Sequence, residues 1–234
     1  MTTPFPFGEA SLALTHRLRR PTAPSADGAA PPLLILLHGI GSDERDLMAL
    51  GARVDPRYLV VSARSPLRLE QGGYGWYHTT FTSRGPVIDA AEAEQGLETL
   101  ATFVADATRA YEADADAVYL TGFSQGAIMS LALLLTAPEL VAGAALMSGR
   151  ILPGVERRVA EPRDRLAGKP VLAVHGLYDP VLTIADGRAI RDMLASLPVE
   201  LTYREYPMAH EVTAESFGQV KDWLAARLDE RVSR

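Results

Sequence analysis

The segment Val118-Tyr-Leu-Thr-Gly-Phe-Ser-Gln-Gly-Ala127 decides how this chain is read. A short apolar block runs directly into Gly122-Phe123-Ser124-Gln125-Gly126, and a stretch of small, almost uniformly apolar residues, Gln125–Thr136, follows. A strand that turns abruptly into a helix with serine at its tip has the form of a nucleophile elbow. Side chains flanking the serine would collide with neighbouring backbone there, and glycine on both sides relieves the collision. Ser124 is expected to stand exposed above the sheet, with the positive pole of the helix beside it. The pentad alone is a weak signal, because a tight turn with a structural serine has the same composition. Its place between a buried strand and a buried helix removes most chance matches.

Further apolar blocks without alternation lie at Leu33–Leu37, 58–62, 142–147 and 171–174, with another candidate around Leu201, Tyr203 and Glu205. Such runs mark strands buried on both faces of a mainly parallel sheet. Leu12, Leu14 and Leu18 alternate with polar or small residues and predict a half-buried edge strand, which the Pro- and Gly-containing stretch 21–32 ends. Helical spacing occupies 43–54, 92–111, Gln125–Thr136, 184–197 and 214–228; in the second, Leu97, Leu100, Phe103, Val104 and Ala107 form one stripe. The expected fold class is therefore α/β, with helices on both faces of the sheet and one domain over residues 1–234. Two segments, 63–90 and 149–168, have no regular pattern. Both follow the carboxyl ends of strands, the edge where such sheets bind ligands.

Composition narrows the function. The chain has 234 residues, 47% of them hydrophobic, and a net charge of −6 from 23 basic and 29 acidic side chains. At this length a chain buries roughly 70–75% of its unfolded surface and needs no metal or disulfide staple. The acidic balance and the lack of basic runs argue against nucleic acid and against an anionic membrane as partners. With no cysteine, disulfides, thiolate metal sites and a thiol nucleophile are excluded. No apolar run approaches the roughly 18 residues of a membrane span. Residues 1–12 lack the basic and apolar regions of a signal peptide, so a cytoplasmic location is expected.

A serine nucleophile needs a base, and the base an orienting acid. Only His175 and His210 follow Ser124, and on this fold the expected order is serine, acid, histidine. His175 has a single aspartate, Asp164, between it and the serine, whereas His210 has Asp179 in His175-Gly-Leu-Tyr-Asp-Pro-Val181, just past a buried strand. Read alone, Asp179-Pro180 is a turn initiator and His210 a loop residue capping the last helix. Ser124, Asp179 and His210 as one catalytic set explains all three placements together. Glu205 and Asp186 are alternative acids without a comparable motif. Upstream, Leu33-Leu-Ile-Leu-Leu-His-Gly-Ile-Gly-Ser-Asp-Glu44 is a buried strand ending in a Gly-rich turn, with Ser42 as the expected N-cap of the next helix and two acids in its first turn. A dinucleotide fingerprint fails because Glu44 stands at its third glycine, and a P-loop fails for want of Gly-Lys-Ser/Thr. The backbone N–H of Ile40, with that of Gln125, is then placed to hold an oxyanion. His38 reads as a hydrogen-bonded scaffold residue.

Leu37-His-Gly-Ile-Gly41, Gly122-Phe-Ser-Gln-Gly-Ala127, His175-Gly-Leu-Tyr-Asp-Pro-Val181 and Met208-Ala-His-Glu211 resemble, in order, the motifs of the phospholipase/carboxylesterase family of α/β-hydrolases, which includes bacterial carboxylesterases and acyl-protein thioesterases. The resemblance covers residues 33–228. It implies the α/β-hydrolase fold, Ser124 as nucleophile, Asp179 and His210 completing the triad, the Ile40 and Gln125 amides as oxyanion hole, and no cofactor or metal. It also implies that Trp76, with Tyr77, lines the acyl pocket. His78 follows Tyr77 where thioesterase-like members usually carry aspartate, which is similar to the bacterial esterase branch. The 20 residues 149–168 are too few for a cap domain, so an open site is expected, cleaving small-molecule esters of short to medium acyl chains. A homodimer is compatible with this reading. A non-catalytic binding protein on the same fold and an acyltransferase or thioesterase with the same triad are the competing functions.

Overall fold

A computed structural model of the chain describes residues 11–24, 28–82 and 85–232. The expectation for the start of the chain falls, through residue 10, outside the described residues. Seven strands form one sheet: β1 (His16–Arg19), β2 (Leu33–Leu37), β3 (Leu59–Ala63), β8 (Val118–Phe123), β9 (Gly143–Met147), β10 (Pro170–Gly176) and β11 (Glu200–Tyr206). Their spatial order is β1-β3-β2-β8-β9-β10-β11, and every pairing is parallel except that of β1 with β3. The sheet is the expected mainly parallel one of an α/β-hydrolase-like fold.

The unalternated blocks are strands buried on both faces. In β2, Leu33, Ile35 and Leu37 pack toward α2 (Ala90–Ala110) and α3 (Gln125–Thr136), whereas Leu34 and Leu36 join a second core layer with Tyr58, Val60 and the Phe217–Trp223–Leu224 face of α5 (Ala214–Val232). The helix α4 (Ile184–Ala195) buries Ile190 and Leu194 in the first layer. Helices thus cover both faces, as the sequence pattern predicts. Asp89 caps α2 by accepting from the Ala91 and Glu92 N–H groups, and Thr213 and Ser216 cap α5 reciprocally. His210 therefore has no capping task. No helix among the described residues is long and apolar enough to cross a membrane.

Two expectations change. Instead of a helix over 43–54 there is one turn, α1 (Met48–Gly51). Ser42 is not an N-cap; it bridges to Tyr74, whose N–H donates to the Ser42 carbonyl at 2.9 Å, while Asp43 turns its side chain onto the Arg45 N–H. That local bond competes with helical pairing. Glu44 is not an acid of a first helical turn either. It is fully buried and bound through both oxygens to Arg64, at 2.6 and 2.9 Å. The segment 63–90 is also more regular than predicted, folding into two small antiparallel pairs, β4 (Leu67–Arg68) with β5 (Tyr74–Gly75) and β6 (Thr79–Thr82) with β7 (Gly85–Ile88). Residues 149–168 carry two short 3-10 turns.

Candidate active site

The loops leaving the carboxyl ends of β2, β8, β9, β10 and β11 converge on one edge of the sheet, carrying Ile40, Ser124, Arg150, Asp179 and His210 respectively. Ser124 occupies the elbow with φ 53° and ψ −118°, a left-handed backbone that a non-glycine residue adopts only under strain. The turn explains its glycines: a Cβ on Gly122 would lie 2.3 Å from the Gly126 carbonyl carbon, and one on Gly126 only 1.9 Å from the Leu37 carbonyl oxygen. The second contact presses the start of α3 against the end of β2, bringing the two loops side by side. Ser124 is 7% exposed, so its hydroxyl opens into a cavity and not onto a free surface.

His210 Nε2 lies 2.9 Å from Ser124 Oγ, and His210 Nδ1 lies 2.7 Å from Asp179 Oδ2. The other carboxylate oxygen of Asp179 accepts from the Val181 and Leu182 N–H groups, each at 2.9 Å. A carboxylate acceptor at Nδ1 requires the proton there, which leaves Nε2 as acceptor for the serine hydroxyl. The Phe123 ring sits 4.9 Å from the His210 ring and holds its orientation. The two loops are tied by Leu177 N–H to the Tyr206 carbonyl and Tyr178 N–H to the Met208 carbonyl.

The amides of Ile40 and Gln125 make no hydrogen bond with the described residues, and both residues line the Ser124 cavity. His38 is the scaffold residue expected: fully buried, it donates from Nδ1 to the Gly39 carbonyl at 2.7 Å and accepts at Nε2 from the Ser65 N–H at 3.1 Å. Burial holds its pKa below the usual histidine value, with partial compensation from the Gly39 carbonyl and nearby acids. His175 lies beneath the Asp179 loop and donates from Nε2 to the Leu182 carbonyl. Glu205 and Asp186 are engaged elsewhere, with Arg188 and Thr183.

The cavity of about 180 Å³ beside Ser124 takes walls from Ile40, Tyr77, Phe123, Ile128 and Leu182, and Thr79, Pro86 and Ile88 of the β6–β7 pair also line it. Tyr77 is at the wall as expected, but Trp76 is not. Trp76 is 0% exposed within the core, packed away from the cavity lining. Tyr77, the next residue in the bend between β5 and β6, takes the wall instead. The Gln125 side chain fixes this segment, accepting from Trp76 N–H at 2.7 Å and donating to the Tyr77 carbonyl at 2.9 Å. Sequence reasoning gave Gln125 only a backbone role and missed the places in the cavity wall of Phe123, a variable position of the elbow motif, and of Ile128, Leu182 and Arg150, which carry no motif of their own.

A family model described as Phospholipase/Carboxylesterase matches residues 21–228. The carboxylesterase of Mesorhizobium loti is similar in structure, with TM-score 0.80, 26% identity, and coverage of 95% of this chain and 99% of that one. For the Bacillus cereus carboxylesterase the TM-score is 0.79 at 25% identity, covering 91% and 94%. Esterase YpfH of Escherichia coli is 28% identical over 185 residues, 76% of this chain and 75% of the relative.

Proposed function

The chain belongs to the phospholipase/carboxylesterase family, a family of serine-hydrolase, esterase type, and from that premise we propose that it hydrolyses carboxylic esters with Ser124 as nucleophile, His210 as general base and Asp179 as the residue that orients it. The observation that carries this reading is the continuous chain of short contacts from Asp179 Oδ2 through both ring nitrogens of His210 to Ser124 Oγ.

In the reaction, Ser124 Oγ attacks the ester carbonyl carbon while His210 Nε2 takes the hydroxyl proton. The negative charge that develops on the carbonyl oxygen is held by the Ile40 and Gln125 N–H groups, each donor contributing roughly 2.7–4 kcal/mol to the transition state. Collapse breaks the bond to the alcohol oxygen, which leaves with the proton from His210. Water then attacks the acyl-enzyme by the same steps and releases the acid and free Ser124. Asp179 keeps its charge throughout and stabilises the imidazolium. The acyl part lies against Ile128, Leu182 and Tyr77, and a cavity of about 180 Å³ suits short to medium chains. Residues 1–234 are taken as one domain acting on a small-molecule ester.

The test is a panel of p-nitrophenyl esters from acetate to decanoate. The native protein is expected to hydrolyse the short and medium members, with Ser124→Ala reduced to background. Equal rates for the two proteins would refute the nucleophile.

A further inference from the structure

Beside the elements used above, the Ser124 cavity holds one feature the reaction does not require. Arg150 lines it, half-buried, three residues past the end of β9. Its guanidinium makes no hydrogen bond or ion pair with the described residues. Other half-buried arginines are engaged: Arg64 with Glu44, Arg57 with Asp55 and Asp229, Arg227 with Glu230. Among the described residues no aspartate or glutamate lines the cavity, although acidic side chains outnumber basic ones by 29 to 23 in the chain.

The base of Arg150 is fixed. Ser148 donates its N–H to the Val174 carbonyl at 2.9 Å and adopts φ 49°, a strained turn that redirects the chain at the end of β9. Gly149 then packs against α3, where a Cβ would sit 3.0 Å from the Ala127 Cβ. A guanidinium that no described residue pairs, carried on a fixed backbone beside an otherwise apolar wall, is a receptor for an anion, because its planar fork of donors matches a carboxylate and because the apolar surroundings weaken competition from water.

We propose that Arg150 makes this site select esters that carry a second, free carboxylate, which the guanidinium binds while Ser124 attacks the ester carbonyl. The selection rests on the hydrolase reading given above. Among the described residues of the lining Arg150 is the one arginine or lysine, which matches a single negative charge, and so a carboxylate better than a phosphate dianion.

Two matched pairs of esters test this at 0.1 M salt by pH-stat: monoethyl adipate against ethyl hexanoate, with the charge in the acyl part, and 4-butyryloxybutanoate against butyl butyrate, with the charge in the alcohol part. In the native protein, kcat/KM is expected to favour the charged member of one pair by roughly 10- to 100-fold, the factor a hydrogen bond to a charged group supports. Arg150→Met should bring that ratio to about one or below, mainly through KM, and Arg150→Lys should leave an intermediate ratio. Native preference for the neutral esters in both pairs, or the same ratio in Arg150→Met as in the native protein, overturns the proposal. Calorimetric binding of monoethyl adipate and of 4-butyryloxybutanoate to Ser124→Ala, with and without Arg150→Met, separates this from the hydrolase reading. Loss of binding on removing Arg150 supports the anion site even if no ester turns over, and binding indifferent to Arg150, or none in Ser124→Ala, overturns it.

Discussion

Asp179 divides its carboxylate between two tasks, with Oδ2 2.7 Å from His210 Nδ1 and Oδ1 receiving the Val181 and Leu182 N–H groups. The first bond sets the tautomer of the histidine and the second fixes the loop. Asp179→Asn can keep the loop bonds through its amide oxygen but presents an N–H or a neutral acceptor to His210. It is expected to lower kcat by on the order of 10³- to 10⁴-fold, with little change in KM or melting temperature. Steady-state kinetics and a thermal melt on the same preparation check this; a loss below tenfold would assign the orienting task to another group.

The Gln125 side chain clamps Trp76 N–H and the Tyr77 carbonyl. Gln125→Leu leaves both backbone groups buried without partners, a cost of about 2–6 kcal/mol at roughly 1–3 each. The cavity wall formed by Tyr77 should loosen with it. Chemical denaturation, with kcat/KM on a medium-chain ester, reads both effects; native stability in this variant would contradict the clamp.

The ion pair of Glu44 with Arg64 ties the turn after β2, which carries Ile40, to the end of β3. Burial opposes the charge on Glu44 more than any one partner favours it, but the Arg64 hydrogen bonds, a backbone hydrogen bond and the charges of Arg64 and Arg45 together outweigh it, and the net pKa lies below the usual carboxylate value. Glu44→Gln removes one partner of a buried pair and is expected to cost about 3 kcal/mol in urea unfolding. A change below about 0.5 kcal/mol, the size expected of an ordinary surface substitution, would mean the pair is solvated.

His38 links pH to stability. Its folded pKa lies below the ordinary 6.5 because burial disfavours the imidazolium. Between that depressed value and about 6.5 the unfolded chain binds the proton more readily, so stability from His38 is full above about 6.5 and is lost as the pH falls. The unfolding free energy of the native protein minus that of His38→Asn should be flat above pH ~7 and decrease on acidification. A difference independent of pH from about 8 to 5 would contradict the buried neutral ring.

The parts legible in the sequence are those whose steric demands appear as residue identities. The elbow requires Gly122 and Gly126, because a side chain at either would enter backbone, and the parallel strands require unbroken apolar runs. Chain order puts Asp179 and His210 forward, and the structure brings both together with Ser124. Helix 43–54 fails because periodicity does not register the Ser42–Tyr74 bridge or the ion pair that buries Glu44, both made with residues some 20 to 30 positions away. Trp76 and Tyr77 are adjacent aromatics, and only the backbone of their segment determines which one faces the cavity. Arg150 is one of five arginines in the irregular stretch 149–168, and nothing in the sequence separates it from the other four; its meaning comes from the cavity it lines and from the lack of an acidic partner among the described residues.

The claim that Ser124 is the activated hydroxyl is tested most directly by treating the native protein with a fluorophosphonate and mapping the adduct by peptide mass spectrometry. A single phosphonyl group is expected on the peptide containing Ser124, formed within minutes, slowed by Asp179→Asn and absent in Ser124→Ala. No adduct on the native protein, or an adduct on another residue that persists in Ser124→Ala, would contradict it.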